Sequence, residues 1–140
     1  MWDHQRIQTL IDAVRHIPIV ETLGFEILDV DDGYCKARVA HDRRYDGIFN
    51  SFHGGLLMTV ADSIACFSIM THTGPTEPLT TTDMNIRFLA PCRTDVTAEA
   101  RVIKIGKTLC PVGVDLFDAQ GVQVAVAQVT YIRLNQPNAG

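Results

Sequence analysis

The sequence predicts an α+β fold, with one long buried helix packed on an antiparallel sheet of five or six strands. Three observations predict it. Residues 54–70 form an apolar run that opens on Gly54-Gly55 and carries hydrophobic side chains nearly all round a helix, as expected of a helix covered on every side. Most of the remaining chain alternates apolar and polar residues with the period of two of half-buried strands. The turns between those runs are short, which favours antiparallel neighbours with the helix segregated to one face.

Each element follows from local chemistry. Ile7, Leu10, Ile11 and Val14 recur at helical spacing and predict an N-terminal helix over residues 1–17, capped by Asp3 and stopped by Pro18. Pro18 to Leu23 is expected to be a turn. Phe25 to His41 is expected to be a hairpin folded at Asp31-Asp32-Gly33, with Cys35, Ala37 and Val39 facing inward. Asp42 to Phe52 is polar and contains glycine, so it is expected to be a loop. The central helix runs from Gly54 to about Met70, and Gly74, Pro75 and Pro78 break the chain after it. Met84, Ile86 and Phe88 alternate with Asp83, Asn85 and Arg87, and Pro91 closes that strand. Period-two counting puts Thr81 on the same face as Asp83 and Asn85. Val96–Val102, Cys110–Leu116 and Val122–Leu134 supply further strands, with turns at Gly106-Lys107 and Asp118–Gly121. Pro111 donates no ladder bond, so an edge or a bulge is expected there. The tail, residues 135–140, is expected to fray.

Composition excludes several function classes. The 140 residues suit one domain. A chain of that size buries roughly 68–70% of its unfolded surface and needs no disulfide staple. With 46% hydrophobic and 20% charged residues the chain is globular. A net charge of −4 without a basic run argues against nucleic-acid binding. The N-terminus lacks the apolar core of a signal peptide. Residues 54–70, interrupted by Thr59, Asp62, Ser63 and Ser68, look too short and polar for a bilayer of ~30 Å. Cys35, Cys66, Cys92 and Cys110 are widely spaced, as for buried thiols in a reducing cytoplasm. The five histidines lack metal-ligand spacing, so no metal and no cofactor is expected.

The chemistry centres on His53-Gly54-Gly55 and on Asp62, about two turns into the helix. Bare N–H groups at a helix start suit developing negative charge. A carboxylate on an otherwise apolar helix is expensive without a use or a partner. Gly54 is thus a candidate oxyanion donor, against the plainer alternative of tight helix–sheet packing. Asp62 is a candidate general base or nucleophile, against a carboxylate merely paired at an interface. No G-x-S-x-G, Walker or dinucleotide motif occurs.

Gly-Gly-helix-Asp, then residues 81–91 (TTDMNIRFLAP), then Gly106-Lys107-Thr108-Leu109 follow in this order. Over residues 20–134 the chain resembles the PaaI-type acyl-CoA thioesterases of the hotdog-fold superfamily. The resemblance implies a long helix wrapped by a curved sheet. It also implies a homodimer joined edge to edge, often doubled to a tetramer, with active sites at the interface. By position it makes His53 and Gly54 the residues at the thioester carbonyl. Asp62 becomes the catalytic carboxylate supplied by the opposite subunit, and Thr81 a hydroxyl that positions water or that carboxylate. His53 suits an orienting role better than that of a base. Family members often carry asparagine six residues before the histidine and glycine three before it. Here Gly47 and Asn50 stand exchanged, which leaves Asn50 a candidate in a shifted position. Gly55 is a candidate for binding the substrate, Phe52 and Met58 are candidates to line the acyl chain or are plain core, and Arg87 and Lys107 are candidates for coenzyme A phosphates, although either cation could equally be a solvated surface charge. The expected activity is hydrolysis of an acyl-CoA thioester to acid and CoA. The alternatives are a hydratase or dehydratase on the same scaffold, or a non-catalytic acyl-CoA-binding module.

Overall fold

The structure, a computed structural model, describes residues 4–134. Asp3 and the tail 135–140 lie outside the described residues.

Helix α1 spans His4–Arg15 and buries Leu10 and Val14. The expected turn after it is instead a second short helix, α2, Pro18–Leu23. Proline there opens a helix instead of only closing one, because its missing N–H falls where no intrahelical partner exists. Strands β1 (Phe25–Asp31) and β2 (Tyr34–Val39) form the expected hairpin. A short 3₁₀ turn, Arg43–Tyr45, interrupts the following loop.

Helix α3 is Gly54–Thr73, three residues longer than the sequence suggested. At 20 residues and a mean hydropathy of 1.5 it is long and apolar enough, by length and composition, to cross a membrane. That corrects the expectation of a run too short and polar. Within this fold it is a core helix that touches all six strands. Leu57, Val60, Ala61, Ile64, Ala65, Phe67 and Ile69 are buried along it. Burying each large aliphatic or aromatic side chain contributes about 1.5–3 kcal/mol. The buried hydroxyls of Ser68 and Thr71 bond carbonyls one turn back, at 2.7 and 2.6 Å.

Strands β3 (Leu79–Phe88), β4 (Val96–Val102), β5 (Leu109–Phe117) and β6 (Gln123–Arg133) complete an antiparallel sheet of order β1-β2-β4-β5-β6-β3. Strand β3 is therefore an edge. Pro111 lies in an interior strand, but at the point where that strand's pairing with β4 ends. Its carbonyl accepts from Ile103 N at 2.8 Å, just past the last β4–β5 pair, Val102–Val112, and Lys104 N lies 3.4 Å from the same carbonyl. A narrow antiparallel pair exchanges two bonds; the proline cannot return the second, so the ladder ends there.

A bulge at Thr82 corrects the face assigned to Thr81. Thr81 pairs with Tyr131 and Asp83 with Thr130, so Thr82 is the extra residue. Thr81 consequently faces α3 with Met84 and Ile86, while Asp83, Asn85 and Arg87 face outward.

Candidate active site

The loop before α3 is held from several sides. His41 Nε2 lies 2.8 Å from Asp46 Oδ1, Asp46 bridges to Phe52, and Phe52 N donates to Cys92 O at 2.7 Å. The Phe52 ring packs edge-on to His41 and beside Tyr45. His53 N then donates to Tyr45 O at 2.8 Å. These ties fix the point where α3 begins.

A helix leaves its first four N–H groups without intrahelical partners. In α3, Gly55 N donates to His53 Nδ1 at 3.0 Å. Leu56 N donates to His53 O at 2.9 Å, and N-cap His53 N, as above, to Tyr45 O. Gly54 N alone of the four has no partner among the described residues. Gly54 borders a cleft of about 390 Å³ with Ser51, Phe52, Leu57, Phe88 and the segment 89–92. The free N–H thus belongs to a residue on a cleft wall, at the positive end of a 20-residue helix.

The two glycines have separate reasons. A β-carbon on Gly55 would come within 3.2 Å of His53 Nδ1 and 3.3 Å of Cε1, so with any other residue there the capping imidazole would have to shift by a few tenths of an ångström. A β-carbon on Gly54 would meet the tip of the Phe88 ring at 3.1 Å. With Nδ1 accepting, the proton of neutral His53 sits on Nε2, which fits an orienting role better than that of a base.

Asp62 is half-buried on α3. Its Oδ1 accepts from Thr81 Oγ1 at 2.6 Å and from the Tyr131 hydroxyl at 2.8 Å. The same hydroxyl lies 2.9 Å from the Asp62 main-chain oxygen. Oδ2 has no partner among the described residues. Cys66, one turn on, is neutral: burial pushes its thiol up to about 11, with Asp62 adding to the effect.

The predicted site residues fall into three sets. Phe52 and Gly54 meet at the cleft, with His53 and Gly55 as its cap. Asp62 and Thr81 meet further along α3. Asn50, Met58, Arg87 and Lys107 reach neither place among the described contacts. Asn50 is exposed in the Gly47–Asn50 turn with φ 58°, a conformation asparagine tolerates. Gly47 lies beside the His53 ring. Met58 is half-buried on α3, Arg87 is exposed on the outer face of β3, and Lys107 is exposed in the β4–β5 turn. Tyr131 belongs to the site as well, although no motif marks it. Its signal was the alternation Val129–Tyr131, which turns a phenol inward, where its hydroxyl needs a partner.

A profile of the thioesterase superfamily matches residues 49–125, more than half of the chain, from the loop before α3 into β6. The chain belongs to the thioesterase superfamily. It is similar to acyl-coenzyme A thioesterase 13 of Homo sapiens, with 33% identity over 85 residues, 59% of this chain and 58% of that protein. The chain thus spans a little over half the length of this relative. Two solved structures share the fold. One is the Escherichia coli PaaI protein of the phenylacetic acid degradation operon, at TM-score 0.85 and 21% identity, covering 94% of this chain and 95% of that one. The other is a thioesterase family protein from Silicibacter pomeroyi, at TM-score 0.86 and 22% identity, covering 94% and 99%. In this superfamily member, as the resemblance implied, one long helix lies against a six-stranded antiparallel sheet, the hotdog arrangement.

Proposed function

We propose that this superfamily member hydrolyses acyl-CoA thioesters, and that it does so as a dimer with sites shared between the copies. The observation that carries the reading is the Gly54 N–H on the cleft wall, without a partner among the described residues. It is a preorganised donor for the thioester oxygen as that oxygen gains charge, and such a donor contributes about 2.7–4 kcal/mol. Asp62 supplies the second requirement. Through Oδ2 it takes a proton from water as the water oxygen bonds to the acyl carbon, or it attacks that carbon directly, in which case loss of the thiolate leaves a mixed anhydride on Asp62 that a water then cleaves to the free acid and the carboxylate. Collapse of the adduct breaks the C–S bond and releases the CoA thiolate, which takes up a proton.

One copy does not bring both groups to one carbonyl. Gly54 and Asp62 are eight residues apart on a continuous helix, which is ~12 Å along its axis. An oxyanion donor and a base must each lie about 3 Å from the reacting atoms. A second copy that presents its own Asp62 to the Gly54 cleft removes the conflict. The ten-residue edge strand β3 offers the row of unpaired backbone groups through which two sheets join.

The test is thiol release from short, medium, long and aromatic acyl-CoAs, with sedimentation at assay concentration. Turnover by a dimer is expected. Turnover by a monodisperse monomer would remove the shared site. Acyl-CoA binding without release would favour a binding module, and an enoyl absorbance change without thiol release would favour a hydratase.

A further inference from the structure

We propose that Tyr131 is a positioning residue for the Asp62 carboxylate, and that Tyr131 and Thr81 together select Oδ2 as the oxygen that meets the reactants. The inference deepens the proposed hydrolysis and rests on it.

A free carboxylate has two equivalent oxygens and turns readily about its last side-chain bond. Two hydroxyl donors on one oxygen remove that equivalence. Thr81 donates from β3 at 2.6 Å and Tyr131 from β6 at 2.8 Å, both to Oδ1. The two residues sit directly opposite each other in the β3–β6 ladder, a pairing that the bulge at Thr82 makes possible. Oδ2 accepts no hydrogen bond among the described residues, so it is the oxygen left for water or substrate.

Tyr131 is the firmer of the two anchors. It is 6% exposed, on a strand flanked on both sides, and its ring is held by the core. Thr81 is half-buried on an edge strand. The Tyr131 hydroxyl also lies within bonding distance of the Asp62 main-chain oxygen. Its single proton is thus shared between, or divided in time over, the carboxylate and the main-chain oxygen of the same residue, and either bond holds Asp62 to the sheet. Burial, with Cys66 and Asp62 nearby, holds the phenol far above its ordinary value of 10.0. Tyr131 stays protonated and acts as a donor, not as an acid. The remaining titratable neighbour, the Cys66 thiol, is neutral for the same reason of burial.

Tyr131→Phe keeps the ring and removes only the hydroxyl. Wild type, Tyr131→Phe and Asp62→Asn are assayed together for thiol release, with kcat expressed per folded molecule from circular dichroism at the assay temperature. The expected result is a kcat lowered by about 10- to 100-fold in Tyr131→Phe, the cost of a slightly misplaced group, with KM unchanged. A merely structural tyrosine would lower the melting temperature and leave kcat per folded molecule alone, and that result overturns the proposal. A raised KM with unchanged kcat also overturns it, because uniform binding would then have been lost. If Asp62→Asn is inactive while Tyr131→Phe matches wild type, only the role of Tyr131 fails. If Asp62→Asn is as active as wild type, or wild type releases no thiol, the hydrolytic reading fails and this one with it.

Discussion

Gly54→Ala separates the two reasons for a glycine at the start of α3. The added β-carbon would lie 3.1 Å from Phe88 Cζ and 3.5 Å from both Cε atoms, so the ring must give by a few tenths of an ångström. Phe88 is 51% exposed at the end of an edge strand, and it has room to swing. The overpacking cost is then near the low end of the usual range, about 1 kcal/mol. Gly54 has no positive φ, so alanine also removes unfolded-state freedom worth about 0.4–1 kcal/mol. The two nearly cancel, and the melting temperature should move by less than about 5 °C. Activity should respond very differently. The methyl would stand beside the N–H of the first turn that has no partner among the described residues, on the wall where a carbonyl must approach. The N–H itself remains, but a methyl that holds the carbonyl away from it forfeits the bond, and loss of such a bond lowers kcat by about 10²–10³-fold. Thermal melts and thiol release on the same preparation check both halves. Normal melting with normal kcat would refute the oxyanion role. A collapse in melting temperature would show instead that packing against Phe88 is the reason for the glycine.

Asp62→Asn should fold, because the amide oxygen can take the place of Oδ1 and accept from Thr81 and Tyr131, while its NH₂ occupies the Oδ2 position and offers a donor where a base is needed. Its turnover should fall by about 10²–10⁴-fold in the thiol-release assay. Glu77 and Arg133 form a two-bond pair at 2.6 and 2.8 Å. The guanidinium holds the Glu77 carboxyl below its ordinary value of 4.5. A carboxyl lowered in the folded state adds stability that is complete above that value and is lost as pH falls through the folded one. Melting temperatures from pH 7 to pH 3 should therefore fall less steeply below pH 4.5 in Glu77→Gln than in wild type, and identical slopes would count against the pair.

Much of the fold was legible because alternation and apolar runs report burial directly. The hairpin at Gly33, the helix from Gly54 and the later strands all follow from such patterns. Asp62 was visible for the same reason, as the lone charge in an apolar helix. What escaped had no periodic signal. Pro18 can end one helix or begin another, and only the packing of Val20 and Leu23 decides that it begins one. The Thr82 bulge breaks the count of two without changing composition, so counting by two puts Thr81 on the wrong face. Ser51 and the 89–92 segment line the cleft from loops, where spacing carries no message. Tyr131 looked like one more strand residue until a hydroxyl in an apolar layer is asked what it bonds.

The bulge in β3 also bears on how this protein can tolerate changes in length. Removing a residue from a regular strand turns over every side chain on one side of the gap. Thr82 is different, because it has no partner on β6. Deleting it would leave Thr81 opposite Tyr131 and Asp83 opposite Thr130, with all faces kept and only the extra local twist released. Within the strand, position 82 is thus where a length change costs least, although it adjoins the threonine that holds the carboxylate.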